Sequence, residues 1–221
     1  MRIYKFRKLT NETDYCQLRN ILETGYFWCS NFWELNDPME GIFSTYDIDI
    51  IDKIFKAKEQ YKICSFSGEK GFRNPTMWGY YTDGFRGVAI EVEAEIEDDI
   101  IKDGVKPVTY KSDVADILAN GGSAFEIMAK KILIKKLKAW EHEDEYRFLI
   151  KSDNNYHKIG EITAVYFGAP YGDLVNSQTI RDNSKSIRKY MGFKKGIIKV
   201  AKEVDITYPD VKVIKGVVTK V

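Results

Sequence analysis

Trp140-Glu141-His142-Glu143-Asp144-Glu145-Tyr146-Arg147-Phe148-Leu149-Ile150 crowds carboxylates around one arginine and then runs into apolar residues. Extended from Glu143, a period of two puts Glu143, Glu145 and Arg147 on one face. Tyr146, Phe148 and Ile150 then face the core. Carboxylates and a guanidinium on one pleated face are costly to bury unless paired. Two readings stay open. Either the face is solvated and braced by a Glu145–Arg147 ion pair, or it is an enclosed polar site. In the second case a Glu-x-Glu strand holds a sugar hydroxyl or stabilises a developing cation, with Trp140 and Arg147 in support.

Outward from this strand, Glu143–Lys151, periodicity predicts strands over Met1–Arg7, Tyr26–Ser30, Tyr61–Ser67, Arg86–Glu93, Val105–Lys111, Glu161–Gly168 and Gly196–Glu203, with short strands near Val211–Val221. Helices are expected after Thr10 or Asn11 as cap, over Ile48–Gln60, Thr76–Tyr81, Ser112–Asn120, Ala124–Leu137 and Val175–Met191, the last ending at Gly192. Gly25 closes the first helix, whose face carries Tyr15, Leu18, Ile21 and Leu22. Strands and helices in no strict βαβ rhythm imply an α+β protein. No repeat, low-complexity tract or Pro/Ser-rich linker divides the chain, so a single domain over 1–221 is expected.

Composition narrows the function classes. Lys and Arg (34) balance Asp and Glu (33), leaving +1, so no global field draws the chain to nucleic acid or a membrane. No run approaches a membrane span and the start lacks the apolar stretch of a signal peptide, so a cytoplasmic protein is expected. Cys16, Cys29 and Cys64 form no CxxC pair and each reads as a buried free thiol. Two histidines leave little for a Ser-His-Asp or Cys-His system, and no GxGxxG, P-loop or HExxH occurs. Chemistry must run on carboxylates, hydroxyls and cations.

Three further segments carry such groups. Ser65-Phe66-Ser67 places two hydroxyls on one face at a strand end, to brace a carboxylate, bind a ligand, or simply end the strand. In Met77-Trp78-Gly79-Tyr80-Tyr81, Trp78 and Tyr81 share a helical side that either paves a pocket for a flat ring or packs on the core. Tyr4-Lys5-Phe6-Arg7 turns Lys5 and Arg7 to one face, where they meet phosphates or form surface charge. The loop from Leu35 to Glu40 holds Asn36-Asp37-Pro38, a strong turn.

In order along the chain these pieces resemble a bacterial family known as domain of unknown function 2971. The resemblance rests on Tyr4 to Arg7, Ile21-Leu22-Glu23-Thr24-Gly25, Phe27 to Ser30, Leu35 to Glu40, Ser65 to Ser67, the Met77–Tyr81 helix followed by Arg86-Gly87, Trp140 to Arg147, and Tyr166 to Gly168. It covers roughly residues 2–170 and departs at Phe6, where tyrosine is usual. A second resemblance is to the ADP-ribosyltransferase fold. There a basic residue on the first strand, a Ser-x-Ser strand and a Glu-x-Glu strand follow in that chain order, as do Arg7 or Lys5, Ser65/Ser67 and Glu143/Glu145. It implies split mixed and antiparallel sheets with packed helices. It also implies an enzyme of the glycosyl-transferring class that uses NAD as substrate.

On that resemblance Glu145 holds the ribose hydroxyl and steadies the oxocarbenium-like centre, and Glu143 positions or deprotonates the acceptor. Arg7 or Lys5 binds the pyrophosphate, with Tyr4 and Ser30 beside it. Ser65 and Ser67 orient Glu145; Trp78, Tyr81 or Trp28 flanks the nicotinamide, and Asn36 and Asp37 support the site. The acceptor would be nucleic acid or protein, and a toxin or phage-defence effector with an antitoxin partner is the setting implied by analogy. Two rival functions stand beside it: a non-catalytic nucleotide or nucleic-acid binding module, and a Mg²⁺-dependent nuclease using Asp37, Glu143 and Glu145.

Overall fold

The computed structural model describes residues 1–35, 43–45, 48–113, 115–116, 125–172, 174 and 177–221. In chain order the elements begin with β1 (Arg2–Lys8), α1 (Glu12–Thr24), β2 (Tyr26–Trp28), β3 (Phe43–Ser44), α2 (Ile48–Glu59), β4 (Tyr61–Ser67), α3 (Glu69–Arg73) and α4 (Pro75–Tyr81). Next come β5 (Gly87–Glu93), β6 (Gly104–Pro107), β7 (Thr109–Lys111), β8 (Ala115–Asp116), α5 (Phe125–Leu133) and β9 (Lys135–Leu137). The rest are β10 (Glu145–Lys151), β11 (Tyr156–Lys158), β12 (Glu161–Phe167), α6 (Gln178–Asn183), α7 (Lys185–Glu203), β13 (Val211–Ile214) and β14 (Val217–Lys220). The protein is therefore mixed α+β with antiparallel sheet, and it resolves into two compact units, each assembled from separate stretches of chain.

The first unit comprises Met1–Tyr26, Ser67–Ala94 and Gly160–Val221. Its strands β12, β5 and β1 run antiparallel, with Arg2 opposite Glu93 and Lys8 opposite Gly87. Ser67 pairs with Tyr4. Gly87 is required where it stands: a Cβ there would lie 2.2 Å from the Arg7 carbonyl oxygen. Tyr4, Phe6, Phe72, Met77, Trp78, Ala89 and Tyr166 form the core, and the β13–β14 hairpin adds Val211 and Val218. Asn11 is the cap of α1, accepting from the Asp14 N–H, and Gly25 ends it at φ 72°. Leu18, Ile21 and Leu22 are buried as the pattern implies, while Tyr15 is half-buried and packs its ring on Phe193 of α7.

The second unit comprises Phe27–Phe66 and Glu95–Ile159. Here β10 lies between β4 and β6. Two short parallel pairs, β7 with β9 and β3 with β8, form separate two-stranded sheets, as does β2 with β11. Helices α2 and α5 cover a core of Phe32, Ala57, Tyr61, Ile63, Ala129, Leu133 and Leu149.

Several expectations are corrected. Gly196–Glu203 is not a strand; it completes α7, which starts after Ser184 and runs through Gly192 and Gly196. Gly192 reads as a stop and Gly196 as a strand start, yet both lie inside the helix, and Gly196 serves packing, because a Cβ there would meet the Tyr15 ring at 2.8 Å. The helix expected over Ala124–Leu137 stops at Leu133, and Lys135–Leu137 turns into a strand. Val105–Lys111 is two strands broken at Val108. In place of a helix from Ser112, Ala115–Asp116 pairs with Phe43–Ser44; residues 117–120 lie outside the described range. Cys29 and Cys64 are buried, but Cys16 is exposed, off the Leu18–Leu22 stripe of α1.

Candidate functional site

The acidic segment begins with a 3₁₀ helix over Lys138–Glu143, not with a strand. Asp144 closes it in the left-handed region at φ 50°, and β10 starts at Glu145. This tight turn, not the period of two, brings Glu143 beside Glu145. The charged face of β10 is buried, as the enclosed alternative requires: Glu145, Arg147 and Leu149 are covered. On the opposite face Phe148 is buried as expected, while Tyr146 and Ile150 are only half-buried.

Burying it is possible because every charge is paired, as the cost of desolvating an ion demands. Arg147, with no exposed surface, donates Nε to Glu145 Oε1 at 2.8 Å and Nη2 to Oε2 at 3.0 Å. Its Nη1 donates to the Leu133 carbonyl at 2.6 Å, at the end of α5. Lys136 from β9 reaches Glu143 Oε2 at 2.6 Å and Glu145 Oε2 at 3.1 Å. The Ser65 hydroxyl on β4 donates to Glu145 as well. Burial alone would push the Glu145 carboxyl up. Arg147, then Lys136 and Ser65, outweigh it and hold the group at about 2.

Two residues of this centre escaped the sequence reading. Lys136 falls inside the helix expected over Ala124–Leu137; its place between two glutamates follows from α5 stopping early. Tyr110 on β7 accepts the Glu145 backbone N–H on its hydroxyl at 2.7 Å. Its own phenol is pushed up by burial. Trp140 is half-buried, lies 5.0 Å from the Lys136 ammonium and stacks on His142.

The structure thus brings together Glu143, Glu145, Arg147, Ser65 and Trp140 within the second unit. Ser30 also belongs there but spends its backbone on a bridge with Ile63. Trp28 is exposed and packs edge-on against Tyr156. Asn36 and Asp37 lie outside the described residues.

The remaining candidates belong to the first unit. Arg7 donates to Gln17 at 2.6 Å, and Lys5 is half-buried on the same strand. Ser67 is buried opposite Tyr4. Tyr4 does not offer its hydroxyl to solvent; it bonds Glu69 at 2.7 Å and Glu91 at 3.1 Å. Trp78 is fully buried, donates to the Phe72 carbonyl and stacks on Phe85, so it is a core residue and paves no open pocket. Tyr81 is half-buried beside Phe6.

No family model, curated protein or solved structure matches this chain. Among the described residues no helix is long and apolar enough to cross a membrane. Among them, too, no three His, Cys, Asp or Glu side chains gather as a metal site would require. The centre offers a pair of carboxyl groups held by one ammonium and one guanidinium and braced by two hydroxyl-bearing side chains.

Proposed function

We propose that this chain is an ADP-ribosyltransferase-like protein of the domain-of-unknown-function 2971 kind, which uses NAD as substrate. The observation that carries this reading is the Ser65 hydroxyl on an ionised Glu145, a hydroxyl strand braced against an acidic strand. In the reaction the nicotinamide–ribose C–N bond breaks and its electron pair leaves with nicotinamide. A negative Glu145 offsets the positive charge that develops on the ribose. The acceptor nucleophile forms the new bond to the ribose carbon, and Glu143 takes its proton. Lys136 is the shared and longer hold on Glu145, so it is the group that yields to a ribose hydroxyl. A toxin or phage-defence effector, acting in the cytoplasm under control of an antitoxin, is the setting this chemistry suits.

One observation favours a second reading. Arg147, Lys136 and Ser65 together occupy both oxygens of Glu145, and Lys136 also holds Glu143. In that reading the centre is an ion-pair network that fixes the fold of the second unit, and the protein is a non-catalytic nucleotide or nucleic-acid binder. NAD labelled in its adenylate half, incubated with the protein and a cell lysate, separates the two. Label transferred to macromolecules by wild type and lost in Glu145→Gln supports the transferase. Retained binding of nucleotide or nucleic acid by that variant, with no transfer by wild type, supports the binder.

A further inference from the structure

A second buried carboxylate centre lies wholly within the first unit. Glu91 on β5 is almost fully covered, and its Oε2 accepts from Tyr4, Tyr166 and Lys220 at 3.1, 3.1 and 2.9 Å. Thr163 donates to its other oxygen at 2.8 Å. The Lys220 ammonium also donates to the Tyr4 hydroxyl at 2.9 Å. It stands 5.1 Å from the Tyr4 ring centre, 5.1 Å from that of Phe72 and 4.7 Å from that of Tyr166. All three distances fall within the range, up to about 6 Å, in which a ring face attracts a cation.

The walls do not depend on Lys220. Tyr4 and Phe72 pack at 4.4 Å, Phe72 and Tyr166 at 5.1 Å, and each ring is buried in the core of its unit. The occupant is different. Lys220 comes from a two-stranded hairpin and its side chain remains 32% exposed, so the space it fills reaches solvent along that side chain. Emptied of Lys220, it would hold three ring faces and a carboxylate. The nearest other cations are poor substitutes: Arg2 is 3.8 Å from Glu91 and mostly exposed, and Arg73 is engaged with Glu69.

We infer that Tyr4, Phe72, Tyr166 and Glu91 form an alkylammonium-binding cage that the chain's own Lys220 fills, and that withdrawal of Lys220 opens it to an external ammonium. Ring faces suit a quaternary or methylated nitrogen, because it is large, weakly hydrated and needs no hydrogen-bond acceptor for each face. Lys220 then acts as a resident competitor.

Calorimetric titration of the full chain with tetramethylammonium chloride, against sodium chloride at equal ionic strength, tests this. Lys220→Ala is expected to bind the probe at least about tenfold more tightly than wild type, in which Lys220 must first be displaced. Adding Phe72→Leu, which keeps an apolar wall but removes a ring face, is expected to abolish the gain. A folded Lys220→Ala that does not bind, or binding unchanged by Phe72→Leu, overturns the inference. N-acetyl-trimethyllysine methylamide, titrated in parallel, identifies the source of the ammonium: tighter than tetramethylammonium for a lysyl side chain, weaker for a small free cation. Should Lys220→Ala fail to fold, the wild-type Lys220 ε-methylene resonance serves. Ring currents shift it upfield, and the probe must return it toward its free position; a resonance that stays fixed at saturating probe overturns the inference equally.

Discussion

Arg147 grips Glu145 two residues back along its own strand, with Nε to Oε1 at 2.8 Å and Nη2 to Oε2 at 3.0 Å. Alternation along β10 puts both on one face, and burial of that face makes the pair obligatory. Removing one partner strands the other. Arg147→Met is expected to cost about 3–5 kcal/mol in denaturant unfolding, the usual penalty for an uncompensated buried charge. Replacing both, Arg147→Met with Glu145→Leu, leaves Lys136 paired with Glu143 and should cost less than Arg147→Met alone. A double variant as unstable as the sum of the two singles would contradict this account of the pair.

Acid should act on the same group. Burial raises the Glu145 carboxyl, but Arg147, Lys136 and Ser65 bring it from 4.5 to about 2. A carboxyl depressed on folding contributes stability that is complete above its unfolded value and lost as pH falls. The contribution is therefore whole above about pH 4.5 and disappears toward pH 2, on the order of a few kcal/mol. Stability measured across that window should fall steeply for wild type and distinctly less for Glu145→Gln.

Tyr110 offers a neutral test of the same turn. Its hydroxyl accepts the Glu145 backbone N–H at 2.7 Å. Tyr110→Phe removes only that oxygen and leaves a buried donor without its acceptor, which costs about 1–3 kcal/mol. Chemical denaturation of the two proteins should show a lower midpoint with an unchanged slope.

Two glycines should respond in opposite directions. A Cβ at Gly87 would sit 2.2 Å from the Arg7 carbonyl and 2.9 Å from Lys8 Cα, where β5 meets β1. Gly87→Ala is expected to lose about 1–3 kcal/mol through forced backbone movement. Gly79 lies inside α4 with nothing within 4 Å of a built Cβ. Gly79→Ala should gain about 0.5–1 kcal/mol, since alanine restricts the unfolded chain and favours helix. Thermal melts of the pair would show the contrast.

Where local pattern and tertiary environment agree, the sequence was readable. β4 falls on Tyr61–Ser67 as its apolar run and Gly68 imply, and α1 has the Asn11 cap and Gly25 terminus that elementary capping chemistry favours. On β10 alternation left a solvated and an enclosed charged face both open, because it distinguishes two faces but not which one is buried. Glu145 points inward, and besides Arg147 on its own strand it takes Lys136 and Ser65 as partners from other strands, which local alternation does not show. Lys136 stayed hidden because its role depends on α5 ending at Leu133, four residues before the expected Leu137. Trp78 has the spacing of a pocket wall and the environment of a core residue; its indole N–H is satisfied by the Phe72 carbonyl, which no local pattern reveals.

Nicotinamide release from NAD is the most direct test of the claim that Glu145 anchors a transferase. Wild type, supplied with NAD and lysate, should liberate nicotinamide, and Glu145→Gln, verified as folded by its circular dichroism, should not. Wild type that releases none, or a folded Glu145→Gln that releases as much, would contradict the claim and leave the Lys136–Glu143–Glu145–Arg147 centre as a structural network.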